Sequence, residues 1–576
     1  AANVNVSSDI TVDTTWTANN VYNLTKQIYV TNGASLTIEA GTVVASTPSD
    51  NGSGSLAVSR GSKIYVQGTA EAPVIMTSTN DVATWAADPS HPTGKDPKSG
   101  TWREAANEWG NLTIMGNALI GYSYEGNTAT PDGTSEAQME GLVADGPGDQ
   151  KVLYGGNDDN DDSGSISYLS LRYGGRVVGK TNELNGLSLG AIGRETEINH
   201  VEIMNNVDDG IEIWGGTVEI KYFSIWNIGD DSFDVDQGWR GKAQFGLIVQ
   251  GYSVNASQGS GVGDNAFETD GAENSDAQPV TTAVIYNATV IGQPAPGAGD
   301  GGTAWRDNAR IQYRNCIFMD LGEKLVHFDD IDGDGADGYA HNGTLSWAAT
   351  WTTDAGVHST VNTGGVNLDN LYKSQVDGKL AEISDSVFWR NLDAAAYTEA
   401  TARGVFDAAN NNVLASYDPG NPTGNQPIQE IQRGALVVRG GKDMLPVTTL
   451  NPCAANDAVT SVKTAPADGF FTPASYRGAF SPTYNWLIGW SASDAFGFLA
   501  APAEQTTATP EATGELTKVV TEVSFDTEAG VVYTVEKSSD MKTWSPIDTI
   551  VGNGSSMSIE HLDTFEDGKF YRVIKQ

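Results

Sequence analysis

The chain has only two cysteines in 576 residues, Cys316 and Cys453. One disulfide at most can form, so a disulfide scaffold and a four-cysteine zinc site are both excluded, while two separate thiols remain open. Basic residues are also scarce. Lys and Arg total 33 against 73 Asp and Glu, a formal charge of −40, which repels nucleic acid and anionic membrane and makes cations the expected partners. No apolar run is long enough to cross a bilayer, so no membrane span is expected. The six His residues are followed by Pro, Val, Phe, Asn, Ser and Leu, so no His-Gly pair is present. No Lys follows the Gly-rich "GDGGTAW" at 299–305, which leaves an ordinary turn and no phosphate loop.

What the chain does have is glycine, 66 residues of it, between many short runs rich in Val, Ile, Thr and Tyr. That composition favours strands and turns over helices. The opening "AANVNVSS" lacks an initiator Met and reads as the start of a mature chain after signal-peptide removal, giving an extracellular or cell-surface location as the expectation.

Repeats organise the strands. "IYVTNGASLTIEAGTVV" (28–44) and "LAVSRGSKIYVQGTAEAPVIMTS" (56–78) superpose at an offset of 28, setting Ile28 on Leu56, Val30 on Val58, Leu36 on Ile64 and Ile38 on Val66. Further on, Ile211 and Ile213 match Phe233 and Val235 at 22, and Val218, Ile220 and Tyr222 match Ala243, Phe245 and Leu247 at 25. Units of this length with several strands each suit a parallel β-solenoid, whose coils stack at about 4.8 Å. With two-residue alternation, Glu212 and Asp234 then point outward one coil apart and form an acidic ladder, which repels itself unless a cation or a proton intervenes.

The pattern runs on through 265–271, 281–292, 309–320 and 381–391. Insertions at 80–108 and 392–412 interrupt it; the second is expected to form a short helix capped by Asp393. Residues 501–515, rich in Pro, Thr, Ala and Glu, read as a linker. Residues 516–576 alternate like a small β-sandwich.

"GTAEAPVIMTS" (68–78), "WGNLTIMGNA" (109–118), "YGGNDDNDDSGSISYLSLRYGG" (154–175), residues 182–223, "GDDSFDVDQGWRGKAQFGLIVQG" (229–251) and "YRGAFSPTYNWLIGW" (476–490) resemble a group of exported right-handed parallel β-helix surface proteins of environmental bacteria, over much of residues 1–500. The resemblance implies an all-β chain, a right-handed parallel β-helix followed by the sandwich. The C-terminal "YTVEKSSDMKTW" and "FYRV" are similar to fibronectin-like or immunoglobulin-like modules that serve attachment or assembly.

Three acidic stretches carry candidate chemistry. In "DDIDGDGADG" (329–338), Asp330, Asp332 and Asp334 take alternating positions of a calcium loop and Gly335 its turn. His341 stands where the closing acid belongs, so Asp337 or another coil has to complete the shell. Asp158, Asp159, Asp161 and Asp162 around Asn160 offer hard oxygen ligands at a less diagnostic spacing. The tandem pairs Asp208-Asp209 and Asp230-Asp231 precede strands, where Asp commonly bonds local backbone at a corner.

The alternative is catalysis. Asp230, Asp231 and Asp234 superficially resemble the acids of a pectinase-type hydrolase, with Arg240 and Lys242 nearby in sequence. A calcium-assisted lyase needs an Arg or Lys as base, for which Arg306 and Arg310 are further candidates. Trp214, Trp226, Trp239 and Trp305 either stack on sugar rings or fill buried corners. The favoured expectation is a calcium-stabilised structural or adhesive surface protein, assembling as a homo-oligomer or polymer through its solenoid ends or C-terminal module. Polysaccharide is a further candidate partner, as substrate or as bound glycan.

Overall fold

The computed structural model describes residues 2–49, 54–122, 136–175, 184–253, 263–272, 279–295, 301–328, 381–391, 410–459, 462–506, 519–538, 541–563 and 570–576. Residues 1–509 form one compact unit and 510–576 a second. In the first, the strands make two large sheets of 17 and nine strands, and each strand pairs in parallel with its equivalent one coil away. This is a right-handed parallel β-helix.

The smaller sheet takes one strand per coil in chain order, from Gln27–Val30 to Val326–Phe328. Ile28 pairs with Leu56 and Val30 with Val58, while Leu36 faces Ile64 and Ile38 faces Val66, the register the 28-residue repeat predicts. Ile211 and Ile213 likewise face Phe233 and Val235. These inward side chains belong to a buried core that runs from Ile10 to Phe388. Each fully buried aliphatic residue contributes about 1.5–3 kcal/mol of apolar transfer.

The predicted offset of 25 is incorrect. Ile220 pairs with Ala243, Phe223 with Gly246 and Ile225 with Ile248, an offset of 23. The cause is local. Tyr222 (φ 60°) and Phe245 (φ 59°) adopt left-handed backbone in the middle of their strands, which bends the chain and resets the in-out alternation on which the 25-residue match relied. Tyr168 and His200 share this conformation at the equivalent positions of earlier coils, and the four rings stack from Tyr168 to Phe245, with His200 4.1 Å from Tyr168 and 4.4 Å from Tyr222.

Two segments pack on the side of the solenoid. The 80–108 insertion begins with a short helix, Thr79–Thr84, capped by the Ser78 hydroxyl, and its Trp102 lies edge-on to Tyr252 and Phe498. Residues 462–506 return along the coils: the Asn287 side chain donates to the Tyr476 carbonyl (2.9 Å) and the Gly478 amide to the Asn315 carbonyl (2.8 Å). The helix expected within 392–412 falls largely outside the described residues.

The second unit, taken by itself, contains two antiparallel sheets. Val519–Asp526 pairs with Ser556–Asp563, and Val532–Ser538 lies between Ser545–Val551 and Phe570–Lys575. Among its described residues Tyr533, Val535 and Ile559 are buried. Cys316 and Cys453 are both buried, free thiols, and burial pushes each up to about 12.

Candidate functional site

Four successive coils enter the smaller sheet through the same corner: "LNGLSLG" (184–190), "DDGIEIW" (208–214), "DDSFDVD" (230–236) and "DNAFETD" (264–270). The pairing Leu187, Ile211, Phe233, Phe267 fixes their alignment. One position down the corner therefore reads Asn185, Asp209, Asp231, Asn265, and the first outward position of the strands reads Ser188, Glu212, Asp234, Glu268. Glycine makes the corner tight. A Cβ on Gly186 would lie 2.5 Å from the Gly210 carbonyl oxygen, and one on Gly210 2.5 Å from that of Ser232.

Part of the corner acidity is backbone chemistry. Asp209 Oδ1 accepts the Asp231 amide at 2.9 Å, and Asp231 Oδ1 accepts the Asn265 amide at 2.8 Å and its side chain at 3.0 Å. Each side chain thus ties its coil to the next. The Asn185 amide donates to Glu212 Oε2 at 2.6 Å, and that of Asn265 to Glu268 Oε2 at 3.3 Å.

The rest of the acidity exceeds what a corner needs. One carboxylate oxygen from each of Asp208, Asp209 and Asp230 lies within 4.8 Å of the others, and the same holds for Asp209, Asp231 and Asp234 and for Asp230, Asp231 and Asp264. The three groups overlap through shared residues. Burial, reinforced by neighbouring carboxylates, pushes Asp230 up to about 7 and Asp234 up to about 8, and holds Asp209, Glu212 and Asp231 well above the usual carboxylate range. Arg306 flanks the cluster, 3.2 Å from Glu268 and 3.0 Å from Asp270. Burial works against its charge, but these two acids more than offset that and hold it protonated.

Oxygen-only donors at this separation suit a hard cation. Calcium binds carboxylate and amide oxygens at about 2.3–2.6 Å, so ligands on opposite sides of one ion sit up to about 5 Å apart. Nothing in the cluster resembles the thiolate and imidazole set that zinc prefers.

The predicted site residues distribute unevenly. Asp230, Asp231 and Asp234 come together in the cluster, but Arg240 and Lys242 do not join them: Arg240 is buried and donates to Asp159 Oδ1 at 2.9 Å, and Lys242 reaches Asp468 at 2.9 Å from the larger sheet. Arg310 is buried against the carbonyls of Asn308 and Ala309. No three of Asp158, Asp159, Asp161 and Asp162 converge in a metal-sized group. Asp158 Oδ1 accepts the Asn160 amide, Asp161 accepts from Asn117 and Ser163, and Asp162 pairs with Lys63 at 2.9 Å. Asp330, Asp332, Asp334 and Asp337 lie outside the described residues. Trp214, Trp226, Trp239 and Trp305 are all buried, in the packing role.

Sequence reasoning missed Asp264, Glu268 and Asn185 as parts of one site. Aligning all four corner strings by their apolar pair at alternate positions supplies the missing signal, since 34 residues separate Asp231 from Asn265 and this longer coil hides the repeat.

A parallel β-helix with a buried, cation-sized carboxylate cluster on the outer side of one sheet is the class of protein that fold and site define. The chain belongs to the pectate-lyase-like β-helix domain family, whose model matches residues 8–87 and 98–389. Searches of curated proteins and of solved structures returned no match.

Proposed function

We propose that the chain is an extracellular, calcium-stabilised β-helix that adheres to anionic polysaccharide through cations held at the corner of residues 208–268. The observation carrying this reading is the overlap of three carboxylate groups on successive coils, which concentrates more negative charge than Arg306 can offset. A calcium ion held by Asp209, Asp231 and Asp234 would neutralise the stacked acids and present open coordination positions to a uronate carboxylate. Family membership supports polysaccharide as the partner class.

Binding is preferred to cleavage. Arg240 and Lys242, the bases a lyase reading requires, face Asp159 and Asp468 elsewhere on the coil, and Arg306 is engaged by two carboxylates. The test is co-sedimentation of the protein with insoluble polygalacturonate in calcium and after chelation, alongside an assay for unsaturated or reducing ends. Calcium-dependent retention without new ends is the expected outcome; retention that ignores the chelator, or release of fragments, overturns the reading.

A second use, end-to-end assembly, is favoured by the last strand of the solenoid. Among the described residues Val413–Ala415 pairs with Val387–Trp389 alone, and Leu414 and Tyr417 beside it are exposed. Sedimentation velocity tests it, with concentration-dependent oligomers expected and a monomer at all concentrations excluding it.

A further inference from the structure

The stack of Tyr168, His200, Tyr222 and Phe245 runs along the larger sheet, away from the carboxylate corner, and is covered from outside by the returning segment. Trp490 lies edge-on 5.3 Å from Tyr168, and Trp486 edge-on 5.4 Å from Tyr222; both indoles also flank His200, at 6.1 and 6.2 Å. Two residues from His200 on the same strand, Glu197–Asn206, the fully buried Glu202 grips the segment by a second contact. Its carboxylate accepts the Ala492 amide at 2.6 Å and the Ser493 amide and hydroxyl at 3.1 and 2.9 Å, with the Ser170 hydroxyl at 2.8 Å from the solenoid side. The first grip depends on a charge state. An imidazolium between phenol rings under two indoles lacks a carboxylate partner among the described residues, and burying it uncompensated is costly.

We propose that residues 476–500 form an acid-releasable strap: neutral His200 holds it on the solenoid beside the hydrogen bonds to Glu202, and protonation of His200 lets it lift from the aromatic column. The groups facing His200 support this. Tyr168 and Tyr222 lie above and below it, Trp486 and Trp490 at its edges, and Asn199 Oδ1 accepts from its Nδ1–H at 2.8 Å. On the column's outer end, Tyr484 and then Glu71 act on Tyr168. Burial alone lowers His200 to about 3. The covered state therefore binds fewer protons than the open one, so its stability is complete above the ordinary His value near 6.5 and falls as pH drops toward 3. Through this window the opening constant rises about tenfold per pH unit.

Hydrogen exchange on the full chain between pH 7 and 4, expressed as protection factors, tests the strap. Residues 486–496 are expected to lose protection about tenfold per unit while Ile211–Trp214 in the core keeps its own. Simultaneous loss in both places would overturn the proposal, because acid would then be unfolding the solenoid. His200→Phe should flatten the strap's pH dependence. Phe245 already occupies the same left-handed column position, which is why Phe is expected to be accommodated; His200→Tyr, matching Tyr168 and Tyr222, is the second variant. An undiminished slope in either variant refutes the role of His200. Glu202→Gln, which turns an amide donor toward the Ala492 and Ser493 amides, should weaken strap protection at pH 7, and full protection there would remove Glu202 from the account.

Discussion

Asp234→Asn should change the sign of its effect with calcium. Asp234 sits in register between Glu212 and Glu268, and burial followed by the Glu268 charge raises it from 3.8 to about 8. Each unit corresponds to about 1.4 kcal/mol, so the carboxylate form of an isolated group displaced this far costs the fold on the order of 5 kcal/mol. The acid's folded value lies above its unfolded one. The cost is therefore complete above pH 8, shrinks as pH falls through the window, and vanishes below about 4. Because titration is shared with coupled neighbours, a part of this, on the order of 2 kcal/mol, is expected as the gain from substitution. In chelator at pH 8.5 the variant should unfold at higher denaturant or temperature than the parent chain, and at pH 5 the difference should nearly close. In millimolar calcium the order should invert, because the amide is a weaker ligand. Denaturant melts under these three conditions decide it. A variant less stable than the parent in chelator at pH 8.5, or one indifferent to calcium, refutes the electrostatic reasoning.

Other outcomes follow from residues around the site. Asp159→Ala deprives the buried Arg240 of its carboxylate and should cost about 3–5 kcal/mol, while calcium affinity measured by calorimetry stays unchanged. Arg306→Ala leaves Glu268 and Asp270 without their cation, so it should lower stability in chelator at pH 8 and make the calcium-induced rise in melting temperature larger than in the parent chain. Cys316 and Cys453 should resist a thiol reagent in the native protein at pH 8 and react fully in denaturant, since burial keeps both protonated there.

The fold was legible where physics repeats with the chain. The 28-residue offset matched the observed pairing because Gly33 and Gly61 both occupy left-handed turns, so both copies turn at the same place and alternation resumes in phase. Legibility failed at Tyr222 and Phe245, since nothing in their identity announces a left-handed backbone that only Gly, Asn and Asp adopt readily. The acidic ladder was visible for Glu212 and Asp234, which share one offset. Glu268 was not, because the longer coil before it breaks the period. Neither could alternation show that Arg240, four residues beyond Asp236, would turn to Asp159 instead of the cluster: that pairing joins residues 81 apart.

The central claim is that the corner carboxylates hold calcium. The most direct measurement is an anomalous difference map from crystals of the full chain grown with calcium and exchanged into terbium. The expected result is a peak within about 2.3–2.6 Å of carboxylate oxygens of Asp209, Asp231 and Asp234. A map with terbium bound only elsewhere, or a featureless corner at saturating metal, would contradict it.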